Sequence, residues 1–119
     1  MTQYLLSVWH TEGDAMPPED EIQDMYTSVE EFNEELRQSG SWVFAGGLHP
    51  PTTATVVDGT GSEVVTTDGP FTESKEWIAG YDLLEVADLE EAEAIAKDDQ
   101  LARFGALELR PVWPIGSED

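Results

Sequence analysis

Cysteine is absent from the 119 residues. That excludes a disulfide framework, a thiol nucleophile and any cysteine-built zinc site. Basic residues are scarce: five Lys and Arg stand against 26 Asp and Glu, and the formal net charge is −21 at pH 7. A surface of that sign repels phosphate backbones, so direct binding to DNA or RNA is not expected. No run approaches the roughly 20 apolar residues that cross a bilayer as a helix, and no membrane partner is expected. The opening MTQYLLSVWH has no basic residue ahead of its apolar stretch. It therefore does not read as a secretory signal, and the expected location is the cytoplasm. A glycine-rich phosphate loop is also missing; Asp58-Gly59-Thr60-Gly61 is hairpin chemistry. His10 or His49 with Asp68, Glu73 or Glu76 would be adequate zinc donors, but nothing has ligand spacing within one helix. Neither a metal nor a cofactor is expected.

What is present is enough for one core. The apolar fraction is 39%, with four Trp, four Phe and three Tyr, so the chain should fold rather than stay disordered. The length suits a single domain, residues 1–119 with 113–119 as a tail. The acids are spread along the chain rather than gathered in one block, which favours a solvated surface suited to high salt over a face for one basic partner. On that reading, the unfolding temperature climbs steeply with added KCl. A flat response up to molar salt would contradict it.

Gln3 to Trp9 alternates with apolar groups on both faces, as a strand does. Pro17-Pro18 can open a helix over Glu19 to Gln38, with Ile22, Met25, Tyr26, Val29, Phe32 and Leu36 as its inward stripe and Gly40 as its stop. Ser28 with Glu31 fits a capping box, so the helix is expected to start or restart near Val29. Trp42 to Leu48 reads as a second strand, whose Gly46-Gly47 pair implies a bulge or a closely approached backbone. Ala54–Val57 and Glu63–Thr67 flank the hairpin turn, and Ile78–Val86 is the next strand. Asp88 and Glu91 form a capping box for a second helix with Leu89, Ala92, Ile95 and Ala96 inward; Ala106–Val112 is the last strand.

The order is β-α-β, an inserted hairpin, then β-α-β: an α+β, ferredoxin-like split βαβ fold with an addition. Two helices cover only one face of a four-stranded sheet. The strands are apolar on both faces, so the second face needs a partner, and a two-fold dimer burying sheet against sheet is the simplest solution. A homodimeric, barrel-like shell is expected.

Asp68-Gly69-Pro70-Phe71, followed by Glu73, Lys75-Glu76 and Gly80-Tyr81, resembles the signature of the DGPF branch of the YCII-related family. Gly46-Gly47-Leu48-His49-Pro50 and Glu108-Leu109-Arg110-Pro111-Val112 resemble further parts of it, and the likeness runs from Tyr4 to Val112. The resemblance implies a dimeric ferredoxin-like α+β barrel of mostly uncharacterised activity. In the wider family a His–Asp pair is proposed to do acid/base work in a pocket between sheet and helices, and a dehydrochlorinase of chlorinated aromatic diols is among the activities. The family's His lies within the first helix, but Glu19 to Gln38 contains none; its Asp lies after the second helix, where Asp98 and Asp99 stand. Catalysis would need another base, such as His10 or His49. The resemblance also implies a link to extracytoplasmic-function sigma factors, as neighbours or fusions.

The DGPF segment has two readings. One is a rigid turn in which the Asp68 carboxylate accepts from backbone N–H groups, Phe71 plugs a core edge and Lys75 pairs with a neighbouring acid. The other is a pocket rim with Asp68, Lys75 and His49 as the catalytic candidates and Glu73, Glu76, His10 and Arg110 as ligand-binding candidates. Glu30-Glu31 and Glu34-Glu35 read as a solvated helix face. The functional expectation is a small cytoplasmic protein with a small-molecule pocket between sheet and helices and acid/base chemistry of lyase or hydrolase type. The alternative is a non-catalytic regulatory or binding module acting with a sigma factor, to which an acidic surface is complementary.

Overall fold

The computed structural model describes residues 2–12, 18–99 and 105–113. Pro17 and the tail beyond residue 113 lie outside them. The elements in order are β1 (Thr2–Thr11), α1 (Glu19–Ser39), β2 (Trp42–Gly47), a short 3-10 turn (Pro51–Thr53), β3 (Thr55–Asp58), β4 (Val65–Asp68), β5 (Glu76–Val86), α2 (Leu89–Asp98) and β6 (Leu107–Pro111). Four strands form an antiparallel sheet in the order β2-β5-β1-β6, and β3 with β4 forms a separate two-stranded ribbon. This is the expected α+β, ferredoxin-like arrangement with an inserted hairpin.

Alternation along β1 sorts the sheet into two faces. Tyr4 and Leu6 point at the helices, and their partners Leu84 and Leu109 point the same way. Leu6, Leu84 and Val86 are fully buried; with Tyr4, Leu36 of α1 and Ala92 of α2 they form the core. Among the described residues no helix lies over the opposite face. Leu5 lies opposite Leu83, Ser7 opposite Tyr81, Trp9 opposite Ile78, and Phe44 opposite Leu83. Phe44 is 47% exposed there, its ring set edge-on to Tyr81 at 5.9 Å.

Helix α1 is continuous. Its first N–H groups bond to the carbonyl of Pro18, and Gly40 ends it at φ +82°, the left-handed conformation that glycine adopts without steric cost. The Ser28–Glu31 restart does not occur, because Ile22, Met25, Val29, Phe32 and Leu36 hold one inward stripe across the whole length. Tyr26 falls off that stripe and is 56% exposed; Leu89, at the first turn of α2, is 46% exposed. The capping box of α2 forms as expected: Asp88 Oδ1 accepts from the Glu91 N–H at 3.0 Å, and Glu91 Oε2 accepts from the Ala87 N–H at 2.8 Å.

Gly46-Gly47 is not the bulge. The register slips at Trp42/Phe44 and at Val8/Trp9, where β5 carries an extra residue, Ala79. The glycines answer the other expectation, close approach: a Cβ on Gly46 would sit 2.9 Å from the Tyr81 hydroxyl.

Candidate functional site

The sheet thins between β2 and β5. Ala45, Gly46, Gly47, Ala79 and Gly80 contribute almost no side-chain volume, and Gly80 is buried. Val29 and Asn33 of α1 pass over this stretch. A cleft of about 310 Å³ opens between them, lined also by Val8, Tyr81 and Asp82. That volume is at the lower end of small-molecule sites. The walls are mainly apolar, and the polar lining residues on the helix side of the sheet are Asn33 and Asp82, the Tyr81 ring lying on the other face against Phe44.

Asp82 carries the unusual chemistry. It pairs with Leu6 across β1 and with Ala45 across β2, so alternation turns its carboxyl to the helix side of the sheet. Burial there, followed by the negative charge of Asp99, pushes its pKa up from 3.8 to about 6. Asp99 follows the end of α2 and is itself buried. Asn33 meets the same cleft from above, with an enclosed Oδ1 that accepts no hydrogen bond among the described residues. An apolar cleft with a carboxyl that changes charge near neutrality can bind a small molecule and exchange a proton with it.

The residues singled out in the sequence lie elsewhere. Asp68 ends β4 and is exposed; the Asx turn belongs instead to Asp58, whose Oδ1 accepts from the Thr60 N–H at 2.9 Å and hydroxyl at 2.6 Å. The turn after Asp68 is held by backbone: the Gly69 N–H donates to the Ala54 carbonyl at 2.7 Å, and Gly69 has φ +102°. Phe71 plugs no core edge, being 82% exposed. Lys75 is exposed and pairs with no acid among the described residues; its carbonyl accepts from the Glu12 N–H at 2.6 Å. Arg37 pairs with Glu34 at 3.1 Å and also lies over the Trp42 ring. Glu73 and Glu76 are exposed, and the Glu76 N–H donates to Ser74 Oγ at 3.1 Å. Arg110 is exposed on β6, opposite Leu5 on the uncovered face. His10 stacks at a tilt on Trp77, with ring centroids 5.0 Å apart. His49 lines a hollow beside the DGPF turn, together with Pro70, Phe71 and Trp77. The set is thus not gathered at one place, and none of it lines the Asp82 cleft.

Asp82 was missed because a single acid in Ile78–Val86 reads as the polar member of a strand. One signal was available. Counting in twos from Leu84 puts Asp82 and Gly80 on the inward face, and an inward acid beside an inward glycine marks a hollow with a charge in it.

The model of the YCII-related domain matches residues 2–116. An uncharacterized protein of Rhizobium meliloti (strain 1021) is 37% identical over 67 residues, 55% of this chain and 54% of its own length. The chain therefore spans about half the length of that relative.

Proposed function

This chain belongs to the YCII-related domain family, and we propose that it binds a small molecule in the cleft between the sheet and α1 and transfers a proton through Asp82. The carrying observation is a carboxyl on the inner face of the sheet in a mainly apolar cleft. A group titrating at about 6 serves as acid or base near neutral pH, where the two protonation states are both populated. Reactions of lyase or hydrolase type need such a group. Asp99 supports the same role by opposing the ionisation of Asp82. We assign the chemistry to Asp82 rather than to Asp68, Lys75 or His49. The test is a fragment screen by amide NMR on labelled protein. Ligands are expected to shift Val29, Asn33, Ala45 and Asp82 together, and for any ligand that is turned over, Asp82→Asn is expected to slow turnover by about 100-fold or more. Ligands that map to the His49 groove instead, or turnover indifferent to Asp82→Asn, would contradict the assignment.

We propose further that the uncovered face pairs with a second copy. Leu5, Trp9, Phe44, Ile78 and Leu83 share that face, and sheet-on-sheet packing removes them from water. Light scattering is expected to give twice the chain mass at micromolar concentration; a stable monomer would contradict the pairing. The charge of −21 supports a second functional reading, a binding module for a basic protein such as a sigma factor. On that reading Asp82→Asn leaves function unchanged, and a partner survives co-purification.

A further inference from the structure

We propose that the β3–β4 hairpin, with Phe71 at its base, is an arm that grips a second copy of this chain. This rests on the pairing of copies through the uncovered face and names the part that clamps it. Three observations carry it. First, the hairpin offers apolar groups to water: Val57 is 66% exposed, Val64 is 70% exposed, and all four residues of β4 are exposed. Among the described residues β3 and β4 pair with each other and with no other strand. A two-stranded ribbon is marginally stable alone in water and needs a surface to pack on. Second, the turn that closes the hairpin's base holds an aromatic ring outward. The Gly69 N–H is fixed to the Ala54 carbonyl, and Phe71 emerges beyond it into solvent. Aromatic side chains are enriched where interfaces bury most surface. Third, Ser41–Val57 is a run of 17 residues with no Asp, Glu, Lys or Arg, in a chain where those types make up 26%. This run builds β2, the 3-10 turn and most of β3. It therefore leads from Phe44 on the uncovered face to Val57 on the hairpin without a charged residue.

The charge pattern selects the occupant. Two copies of formal charge −21 repel, so they meet most favourably where neither presents acids. The run from β2 into β3 meets that condition. The β6 side of the same face does not, since Glu108 lies opposite Ser7 and Arg110 opposite Leu5. A basic partner would instead be drawn to acids, and the hairpin strands carry theirs only at their ends, Asp58 and Asp68. The DGPF motif gains a duty in this arrangement: Asp68 ends the arm, Gly69 and Pro70 turn the chain, and Phe71 is the anchor.

Sedimentation equilibrium on the full chain measures the dimer dissociation constant of the wild type, of Phe71→Ser, of the double variant Val57→Thr with Val64→Thr, and of Leu83→Ala. Threonine keeps the β-branched shape that strands favour, and all three hairpin positions are exposed, so circular dichroism should show an unchanged fold. The expected result is a wild-type dimer, with Phe71→Ser and the double variant each dissociating at least about tenfold more readily. Added KCl is expected to tighten the dimer by screening the repulsion between copies. A wild-type monomer at micromolar concentration would overturn both the pairing and the arm. A dimer weakened by Leu83→Ala and unmoved by the hairpin variants would overturn the arm and uphold pairing through the sheet face. A dimer that KCl weakens would mean that opposite charges hold it, and would overturn the uncharged seam.

Discussion

Leu84→Ala is expected to cost about 3–4 kcal/mol of stability, enough to unfold much of a marginal domain. Leu84 has no exposed surface, and its neighbours in the core include Leu6 and Val86, which have none either. Among the described residues the buried apolar core comprises Tyr4, Leu6, Leu36, Leu84, Val86 and Ala92, and Leu84 lies within it. Removing three carbons from its centre loses their transfer free energy and leaves a cavity that the paired strands β1 and β5 cannot close. Leu83→Ala, one residue away on the uncovered face, is the control. It should change the stability of the isolated chain little and weaken association between copies. Urea unfolding of the two variants at one protein concentration checks both. A loss under about 1 kcal/mol for Leu84→Ala would mean that the core is not centred on β5.

Asp82→Asn is expected to stabilise the protein above pH 6, by an amount on the order of 2 kcal/mol. The sign follows from linkage. The unfolded carboxyl titrates at its ordinary value of 3.8, and the folded one at about 6. Between those values the folded state holds the proton more tightly, so wild-type stability falls as pH rises through the window. Above about pH 6 both states are ionised and the full cost is in place; below about pH 4 both are protonated and there is none. The gap corresponds to about 3 kcal/mol, reduced because Asp82 is only partly shielded from solvent. Asparagine has the same shape and no charge at any pH. The advantage of the variant should therefore be full at about pH 7.5 and vanish at about pH 4. The negative charge of Asp99 also raises the pKa of Asp82, and Asp99→Asn should reproduce part of the effect. A variant that is destabilised at neutral pH, or whose advantage is constant with pH, would contradict the placement of the carboxyl. The same wild-type strain is what a function explains: a protein that keeps an ionisable group where it weakens the fold gains something else from it.

The fold was legible because its signals are local. Alternation marked β1 to within one residue at its start, and Gly40 marked the end of α1. The Asp88–Glu91 box marked the start of α2. Errors arose where tertiary packing decides. Ser28–Glu31 has cap chemistry, yet a stripe already running through it keeps the helix going. Phe71 is a large apolar residue, yet the chain after Gly69 turns away from the core. The site was less legible still. Asp82, Asn33 and Asp99 come from β5, α1 and the segment after α2, and no spacing in sequence joins them. Asp99 entered only through the family resemblance, while the conspicuous DGPF motif led to an exposed turn. Its glycine and proline shape the backbone, and sequence alone does not separate that duty from a catalytic one.

The central claim is that Asp82 sits on the inner wall of an apolar cleft, poised to change charge near neutral pH. Carbon NMR of its labelled carboxyl, followed across pH in the wild-type protein, tests this most directly. A midpoint near 6 is expected, falling when Asp99 is replaced by Asn. A midpoint at or below the ordinary 3.8 would mean a solvated carboxylate, and the proton-transfer role assigned to the cleft would be withdrawn.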